Sequence, residues 1–429
     1  MRKENGGRIS SSVLFIALIA ALGGAGASSW GAPDDHRWST EVVDEDCTNA
    51  DDYEGADITL LLDAEDHPHI AYINGELPNT VLAIRYARWL GETWDLVTVD
   101  DDDTWGNAGL ALDGYQRAHL SYRESGWYGQ GVLRYARPDN GGWIVEEPDP
   151  AQGMSCSSIA LDSQGYPHIA YYMQGAGLKY ARWTGTEWTF ATPDADCCGA
   201  ISLALDSQDR PYISYAAGNP WYNVRCAWWD GAQWHWLMLD YETATPYATS
   251  IQLSSEDRPR IAYAKGAQNG VWYARAINMW VWMREMVEDG NMWSPVLALD
   301  ADNRPHIAYY VANDGALAYA TKSDETWDIQ IVEDDASPSI RIGREPSIAL
   351  GVCDLPRIAY YYHDSSEPCQ LKYARARRPA DFDGDGDVDT ADLLHLLACW
   401  GTPCGDVDGD GDTDTADLLA LLAAWGECP

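Results

Sequence analysis

The sequence predicts an all-β protein, a seven-bladed β-propeller, followed by a small α-helical tail. Three observations favour this fold class. A unit of roughly 45 to 50 residues recurs throughout residues 38–376 and holds four short β-type runs. The strand that should complete the last unit stands before the first one. The tail, residues 381–429, carries two acidic loops, and leucines at helical spacing follow each loop.

One complete repeat, residues 158–192, shows the four predicted strands. They are short runs of β-branched and aromatic residues, bounded by Gly, Pro, Asp and Ser. A Pro-x-Ile-Ala-Tyr motif marks the second strand, and a degenerate copy at residues 118–122 brings the number of repeats to seven. The other six copies begin at Pro68, Pro167, Pro211, Pro259, Pro305 and Pro356. Four strands with tight hairpins in each repeat indicate one propeller blade per repeat.

The fourth strand indicates that the ring is closed. A leading tryptophan marks this strand in six repeats: Trp94, Trp143, Trp188, Trp234, Trp282 and Trp327. The seventh repeat ends at Arg375 without a fourth strand, whereas a matching one, residues 38–43, precedes the first repeat. We therefore expect the N-terminal strand to complete the last blade. An open solenoid would need polar capping repeats instead, and closure removes exposed sheet edges.

The turns between the third and fourth strands carry a family resemblance. Residues 91–94, 185–188 and 323–327 end in tryptophan after a short polar turn. These repeats resemble those of secreted bacterial β-propellers with a Gly-x-x-Trp turn, and more distantly the Asp-box repeats of sialidase-type propellers. The resemblance implies the propeller architecture.

The N-terminus has the pattern of an export signal, residues 1–27. Positive residues precede an apolar run, residues 13–22, and a small-residue cleavage site, residues 25–27. The apolar run is too short to span a membrane as a helix, so we expect a mature chain without a transmembrane segment. The chain should be secreted, and either extracellular or associated with a cell surface. Linkers are predicted at residues 28–37 and 377–380.

Charge excludes one class of partner. The formal net charge is −39, whereas binding to phosphate backbones needs basic patches. We therefore expect no nucleic-acid partner.

The chain contains 21 Trp and 25 Tyr but only 3 Phe, a balance that suits strands with one end in contact with water.

The tail contains the strongest site motif, two twelve-residue loops with the pattern of a calcium site. Oxygen ligands come from positions 1, 3, 5, 7, 9 and 12, and a glycine at position 6 allows the sharp turn. Position 7 contributes its backbone carbonyl. The predicted ligands of two calcium ions are Asp381, Asp383, Asp385, Asp387, Asp389 and Asp392 in the first loop, and Asp406, Asp408, Asp410, Asp412, Asp414 and Asp417 in the second.

The two loops, with Asp at position 12 and a helix only after each loop, resemble type I dockerin modules. The helices are expected at residues 393–400 and 418–425. The resemblance implies calcium-dependent folding and docking onto a cohesin-like or cell-surface receptor. Cysteines at positions 399, 404 and 428 depart from the dockerins of cellulosomes.

Candidate binding residues on the propeller interrupt the repeat pattern and are expected in loops on one face: Trp105, Trp127, Tyr128, Trp221, Tyr222 and Tyr247. Exposed aromatic side chains can stack on sugar rings or peptide side chains, although packing within the loops is an alternative. Cys47 follows the closing strand and Cys369 precedes the third strand of the same blade, so we predict a disulfide between them.

Two sets of polar residues recur in the repeats, and we expect both to be structural. Histidines recur at one position of the second strand: His69, His119, His168 and His306. Acids end the fourth strands: Asp44, Asp100, Asp149, Asp194, Asp240, Asp289 and Asp334. A side chain repeated in every blade is more typical of fold-building than of catalysis, and Asp commonly caps turns. An acidic ring that holds cations or basic ligands is the alternative.

These features favour a secreted modular binding protein. Its propeller would recognise a glycan or a surface protein, and its tail would dock the chain onto a partner. An extracellular glycoside hydrolase or lyase that acts on polysaccharide is one alternative, since hydrolysis needs only two placed carboxylates. A structural surface protein is another. No catalytic signature for a metalloprotease, serine hydrolase or phosphate-binding loop occurs in the sequence.

Overall fold

The computed structural model describes most of the chain after residue 36. The described residues are 37–47, 58–75, 82–102, 104–124, 131–197, 199–218, 222–240, 248–265, 270–323, 326–335, 340–364, 369–383, 387–407 and 412–426. The predicted export signal and the linker before residue 37 lie outside them.

Seven antiparallel four-stranded sheets form the blades of a β-propeller. The first strand of the described chain, β1 (Arg37–Cys47), belongs to blade 7. Blade 1 contains β2 (Thr59–Leu62), β3 (Pro68–Gly75), β4 (Leu82–Trp89) and β5 (Trp94–Asp100). Blade 2 contains β6 (Thr104–Leu112), β7 (Ala118–Glu124), β8 (Val132–Asp139) and β9 (Gly142–Glu146). Blade 3 contains β10 (Met154–Leu161), β11 (Pro167–Met173), β12 (Gly177–Trp183) and β13 (Trp188–Asp194).

 Blade 4 contains β14 (Gly199–Leu205), β15 (Pro211–Ala217), β16 (Asn223–Trp229) and β17 (Trp234–Asp240).

Blades 5 to 7 complete the ring. Blade 5 contains β18 (Thr249–Leu253), β19 (Pro259–Ala264), β20 (Val271–Asn278) and β21 (Val281–Glu288). Blade 6 contains β22 (Met292–Leu299), β23 (Pro305–Val311), β24 (Ala316–Ser323) and β25 (Thr326–Glu333). Blade 7 contains β26 (Ile340–Leu350), β27 (Pro356–Asp364), β28 (Cys369–Arg377) and, as its fourth strand, β1 (Arg37–Cys47) from the start of the described chain.

The N-terminal strand closes the last blade, as the sequence predicts. Strand β1 pairs antiparallel with β28, and the register sets Arg37 opposite Arg377. Trp38 packs edge-on against Tyr319 of blade 6, with ring centroids 5.5 Å apart. The same contact joins a third-strand tyrosine to the fourth-strand tryptophan of the next blade at five other junctions: Tyr86–Trp143, Tyr135–Trp188, Tyr180–Trp234, Tyr273–Trp327 and Tyr373–Trp94. Trp38 therefore occupies the fourth-strand position of a regular blade.

The junction between blades 4 and 5 differs, because Cys226 stands at the position of the tyrosine. Its side chain is fully buried in a cluster that includes Trp282 of blade 5. Burial raises the pKa of the Cys226 thiol. This cysteine is therefore a packed core thiol.

The innermost strands of all seven blades surround a central channel of about 290 Å³. Serine hydroxyls on these strands accept hydrogen bonds from the backbone N–H groups of the next blade. Examples are Ser250, which accepts from Leu297 at 3.1 Å, and Ser347, which accepts from Leu60 at 2.9 Å. These bonds satisfy buried backbone donors that no strand of the same blade reaches.

The tail contains two short helices, α1 (Thr390–Ala398) and α2 (Thr415–Ala423). They begin three residues before the predicted starts and end two residues before the predicted ends. The reason is N-terminal capping. Asp389 and Asp414 accept hydrogen bonds from the first turn of each helix, so the loop aspartates themselves start the helices.

The tail is internally symmetric. Gly426 donates a backbone hydrogen bond to Val388 at 2.8 Å, and Gly401 donates one to Thr413 at the same distance. The two bonds correspond to each other in the two halves of the tail, because Thr413 follows Val388 by 25 positions and Gly426 follows Gly401 by 25 positions. Val388, Leu396 and Leu421 are fully buried and form the core between the two halves.

Two further contacts fix the ends of the tail helices. A disulfide joins Cys399 and Cys404, with an S–S distance of 2.01 Å, in the segment after α1. The Arg378 guanidinium, next to the end of β28, donates to the carbonyls of Ala424 and Gly426. In the described part of the chain, no helix has the length and apolar character needed to cross a membrane.

Candidate calcium loops and the propeller faces

The first acidic loop brings three of its predicted ligands together. Oxygen atoms of Asp381, Asp383 and Asp392 lie within 4.8 Å of one another. Asp392 is almost completely buried, and its carboxylate accepts backbone hydrogen bonds from Phe382 at 2.7 Å and Asp389 at 2.8 Å. These bonds fold the loop back onto the first turn of α1. The position 12 carboxylate is therefore held beside positions 1 and 3.

The second loop holds its position 12 carboxylate in the same way, but it gathers positions 7, 9 and 12 instead of 1, 3 and 12. Oxygen atoms of Asp412, Asp414 and Asp417 lie within 4.8 Å of one another. Asp417 is fully buried and accepts from the backbone N–H groups of Val407 and Asp414, both at 2.6 Å. Among the other predicted ligands, Asp387 and Asp406 lie in described segments, whereas Asp385, Asp408 and Asp410 lie outside the described residues.

The donor set fits calcium. Three carboxylates within a few ångström of one another repel, unless a cation or protons compensate their charge. Calcium prefers several hard oxygen ligands from carboxylates and backbone carbonyls, and no softer nitrogen or sulfur donor belongs to either carboxylate group. The loops could therefore hold one ion each, with the described carboxylates as part of the ligand set.

The tail helices expose apolar side chains whose helical spacing is visible in the sequence. Leu394, Leu397 and Trp400 are 62%, 49% and 46% exposed. The equivalent residues 25 positions later, Leu419, Leu422 and Trp425, are exposed as well. Their spacing of three residues could have identified this face, because residues three apart share one side of a helix. We call these two sets the tail stripes.

The propeller has two faces. The loop face carries the connections from second to third strands and from fourth to first strands, and the turn face carries the other two connections. Tyr222 lies on the loop face and is 40% exposed. Trp105 is not in a loop as predicted. Its backbone belongs to β6, because it pairs with Arg123 of β7. The other aromatic candidates, Trp127, Tyr128, Trp221 and Tyr247, lie outside the described residues.

The acids at the ends of the fourth strands join neighbouring blades. Each accepts a hydrogen bond from a buried second-strand tyrosine of the next blade. The pairs are Tyr72–Asp44, Tyr122–Asp100, Tyr171–Asp149, Tyr215–Asp194, Tyr263–Asp240, Tyr309–Glu288 and Tyr360–Glu333. Burial, with the adjacent carboxylate, raises the pKa of Tyr72 and Tyr122 far above the ordinary value. These acids therefore link neighbouring blades, a role not foreseen from the sequence. The predicted capping of local turns also occurs, as at Asp100 and Asp149.

Two of the predicted acids were wrong by one position. Glu288 and Glu333 accept the tyrosine hydroxyls, rather than Asp289 and Asp334. The register sets Glu288 opposite Val271 and Glu333 opposite Leu317, just as it sets Asp100 opposite Ile84 in blade 1. Glu288 and Glu333 therefore occupy the repeat position of the other acids, six residues after the leading tryptophan, and Asp289 and Asp334 follow it by one residue.

The repeat histidines are structural. His119, His168 and His306 each bond a third-strand tyrosine hydroxyl through Nδ1, at 2.5 to 2.6 Å, and His69 bonds Tyr86 in the same way. Their Nε2 atoms lie 3.4 to 3.7 Å from the aspartate that ends the first strand. That aspartate also caps the following turn, as Asp162 does by accepting from Gln164 and Tyr166. In each of these blades, the aspartate, the histidine and the tyrosine together fix the turn after the first strand to the third strand.

One of these histidines predicts a pH dependence. Burial lowers the pKa of His168 to about 4, whereas an unfolded histidine has a pKa near 6.5. Above pH 6.5 both states are neutral. Between pH 6.5 and 4 only the unfolded state binds the proton, so this histidine lowers the free energy of unfolding as pH falls, by about 3 kcal/mol in total.

Denaturant unfolding at pH 7, 5.5 and 4.5 should show a smaller loss of stability in the His168→Gln variant than in the parent chain. Substitution of the exposed His67 by glutamine serves as the control and should leave the parent pH profile unchanged. Identical profiles for the parent and the His168 variant would contradict the buried neutral state.

The predicted disulfide between Cys47 and Cys369 stays a prediction. The backbone register of β1 and β28 sets the two residues directly opposite each other, a placement compatible with a cross-strand bond. We expect a peptide map of the unreduced chain to contain the linked pair. Recovery of both cysteines as alkylated thiols would reject the bond.

Comparison with known proteins identifies the fold. No model of a known protein family matches this chain, and no curated protein matches it in sequence. A solved protein of unknown function from Dyadobacter fermentans aligns with 79% of this chain and 98% of its own, at 10% identity and a TM-score of 0.50. This likeness is one of fold. The chain is a β-propeller.

Two further solved structures align more loosely. The Aleuria aurantia lectin AAL covers 66% of this chain and 97% of its own, at 15% identity and a TM-score of 0.46. The polysaccharide lyase Uly1 covers 84% of this chain and 95% of its own, at 7% identity and a TM-score of 0.49. Identities this low indicate nothing beyond shared architecture.

Proposed function

We propose that the chain is a secreted binding module whose tail docks in a calcium-dependent way and whose propeller recognises a glycan. The observation that carries the proposal is the convergence of three carboxylates in each tail loop. Calcium would neutralise these charges and hold each loop against the helix that follows. The interpretation of the tail as dockerin-like rests on these carboxylate groups together with the pattern of the two twelve-residue loops.

The tail stripes support a docking role. Exposed leucine and tryptophan side chains at equivalent positions of both helices offer apolar contact surface of the kind that interfaces bury. We propose a cohesin-like or cell-surface receptor as the partner. Calcium would control this docking because the loops set the first turn of each helix, on which the stripes depend.

A binding role for the propeller is favoured over hydrolysis. The acids at the fourth-strand ends each accept a tyrosine hydrogen bond, and Asp44, Asp194 and Asp240 also pair with basic side chains. Such engaged carboxylates are poorly suited to acid–base chemistry. Exposed aromatic residues on the loop face, such as Tyr222, provide surfaces on which sugar rings stack.

Calcium titration of the full chain after chelator treatment tests the tail. Calorimetry should show two sites. The Asp383→Asn variant removes a position 3 carboxylate and should weaken one site at least tenfold, which corresponds to about 1.4 kcal/mol. The Asp387→Asn variant removes the same charge at position 7, where the backbone carbonyl is the expected ligand, and should bind nearly as well as the parent. Equal loss in both variants would indicate general charge attraction instead of a built site.

Glycan-array binding of the full chain, together with release of reducing sugar from the same glycans, tests the propeller. Binding without turnover is the expected result. Turnover would replace the binding role with a polysaccharide-acting enzyme, and silence in both assays would reject a glycan ligand.

A further inference from the structure

Arg123 occupies a repeat position that is apolar or aromatic in the other six blades. The register of the first and second strands identifies its counterparts as Ile73, Tyr172, Ala216, Ala264, Tyr310 and Tyr361. The arginine therefore does not belong to the repeat pattern that builds the fold. It lies at the end of β7, on the loop face of the propeller.

A glycine makes room for the arginine side chain at the junction of blades 2 and 3. A Cβ atom at Gly131 would overlap Arg123 Nε and would lie 2.6 Å from the carbonyl oxygen of Met154 in β10. A Cβ atom at Gly106 would lie 3.1 Å from the carbonyl oxygen of Ser155 and 3.9 Å from Arg123 Cβ and Cδ. Residue 131 therefore has to be glycine for the arginine to occupy this place, whereas a Cβ at residue 106 would only contact it.

The guanidinium has no anionic partner in the described part of the chain. Its Nε is buried without a hydrogen-bond acceptor. The adjacent carboxylate of Glu124 pairs with Arg134 instead. Other basic residues at the loop face are paired with acids, as in Arg85–Asp44 at 2.8 Å and Arg225–Asp194 at 2.6 Å.

The unpaired state is unfavourable in the free protein. Burial lowers the pKa of Arg123, and no carboxylate offsets the effect. Arginine nevertheless stays protonated in proteins, so a desolvated positive charge is retained. An oxyanion supplied by a ligand would remove this penalty. The planar guanidinium fork matches the geometry of carboxylate and sulfate groups, which it can bind through two parallel hydrogen bonds.

We propose that Arg123 anchors an acidic glycan through a uronate carboxylate or a sulfate ester. This inference rests on the proposed glycan-binding function and specifies its ligand class. Neutral sugars would lack the group that pairs with the guanidinium.

Binding of three oligosaccharide sets to the full chain tests the proposal: oligogalacturonate, sulfated galactan fragments and neutral xylo-oligosaccharides. We expect the parent to prefer an anionic set. The Arg123→Met variant should bind that set at least tenfold more weakly, and Arg123→Lys should recover part of the affinity. The Arg137→Met variant removes a paired arginine from the same blade and should bind within threefold of the parent. The carboxylated or sulfated set that binds identifies the anion.

Thermal unfolding without ligand separates binding from packing. Because the methionine removes an unpaired buried charge, Arg123→Met should unfold at the parent temperature or above it. A variant that unfolds much earlier and binds all glycans like the parent would overturn the proposal. Arg123-independent binding of neutral glycans would overturn it while leaving the proposed function intact. Binding of free glucuronate or sulfate, without binding of any oligosaccharide, would instead retain the anion site and reject the glycan function.

Discussion

Substitution of Asp44 by alanine is expected to lower the free energy of unfolding by about 3 to 5 kcal/mol, the range for breaking a buried charged pair. Asp44 is 5% exposed and lies in the strand that closes the ring. Its Oδ2 accepts hydrogen bonds from Tyr72 at 2.6 Å, Asn74 at 3.3 Å and Arg85 at 2.8 Å. Alanine would leave three donors of blade 1 without their acceptor, including one positive charge.

Guanidinium unfolding of the full chain in saturating calcium measures this loss. The Asp95→Ala variant is the control, because Asp95 forms an exposed pair with Arg88 and should contribute less than about 1 kcal/mol. Similar effects of the two substitutions would show that the contacts between blades 7 and 1 do not hold the ring closed.

Removal of calcium is expected to unfold the tail while the propeller stays folded. Each loop gathers three carboxylates, and their repulsion is uncompensated without the ion. At a free calcium concentration one hundred times the dissociation constant, each site would stabilise the tail by about 2.7 kcal/mol. The tail core is small and consists mainly of Val388, Leu396 and Leu421, so a loss from both sites should exceed its stability.

Amide hydrogen exchange with and without chelator checks this expectation. Protection should disappear in α1 and α2 but persist in the propeller strands. Magnesium at the same ionic strength is the control, since it prefers a smaller octahedral site and should restore little protection. Helices that stay protected in chelator would show that packing and the Cys399–Cys404 disulfide are sufficient to fold the tail.

The blades and the closing strand were predictable because each depends on a short pattern that recurs in the sequence. Trp38 illustrates this point. The sequence around Trp38 has the pattern of the other fourth strands, each of which begins with a tryptophan. Its contact with Tyr319 then follows from the geometry of the blades. The loop spacing likewise located the carboxylates that converge in the tail. The helix starts were wrong because loop residues Asp389 and Asp414 act as caps, which extends each helix into the motif.

The acids of blades 5 and 6 could have been placed from spacing, because Glu288 and Glu333 stand six residues after the leading tryptophan, as Asp100 does. Features that depend on space were not predictable. Arg123 looked like ordinary variation of a repeat position. Its significance depends on the missing carboxylate and on the space left by Gly131, neither of which a linear pattern reveals.

The pairing of β1 with β28 has a consequence for the order in which the protein is made. Arg37 and Arg377 are partners although 377 − 37 = 340 residues separate them. At bacterial and eukaryotic elongation rates, roughly 20 to 70 seconds pass between the synthesis of the two strands. The first strand therefore has no partner until β28 has been synthesised. A chain that terminates before β28 would keep an open ring with unpaired edges, which chaperones and proteases can recognise.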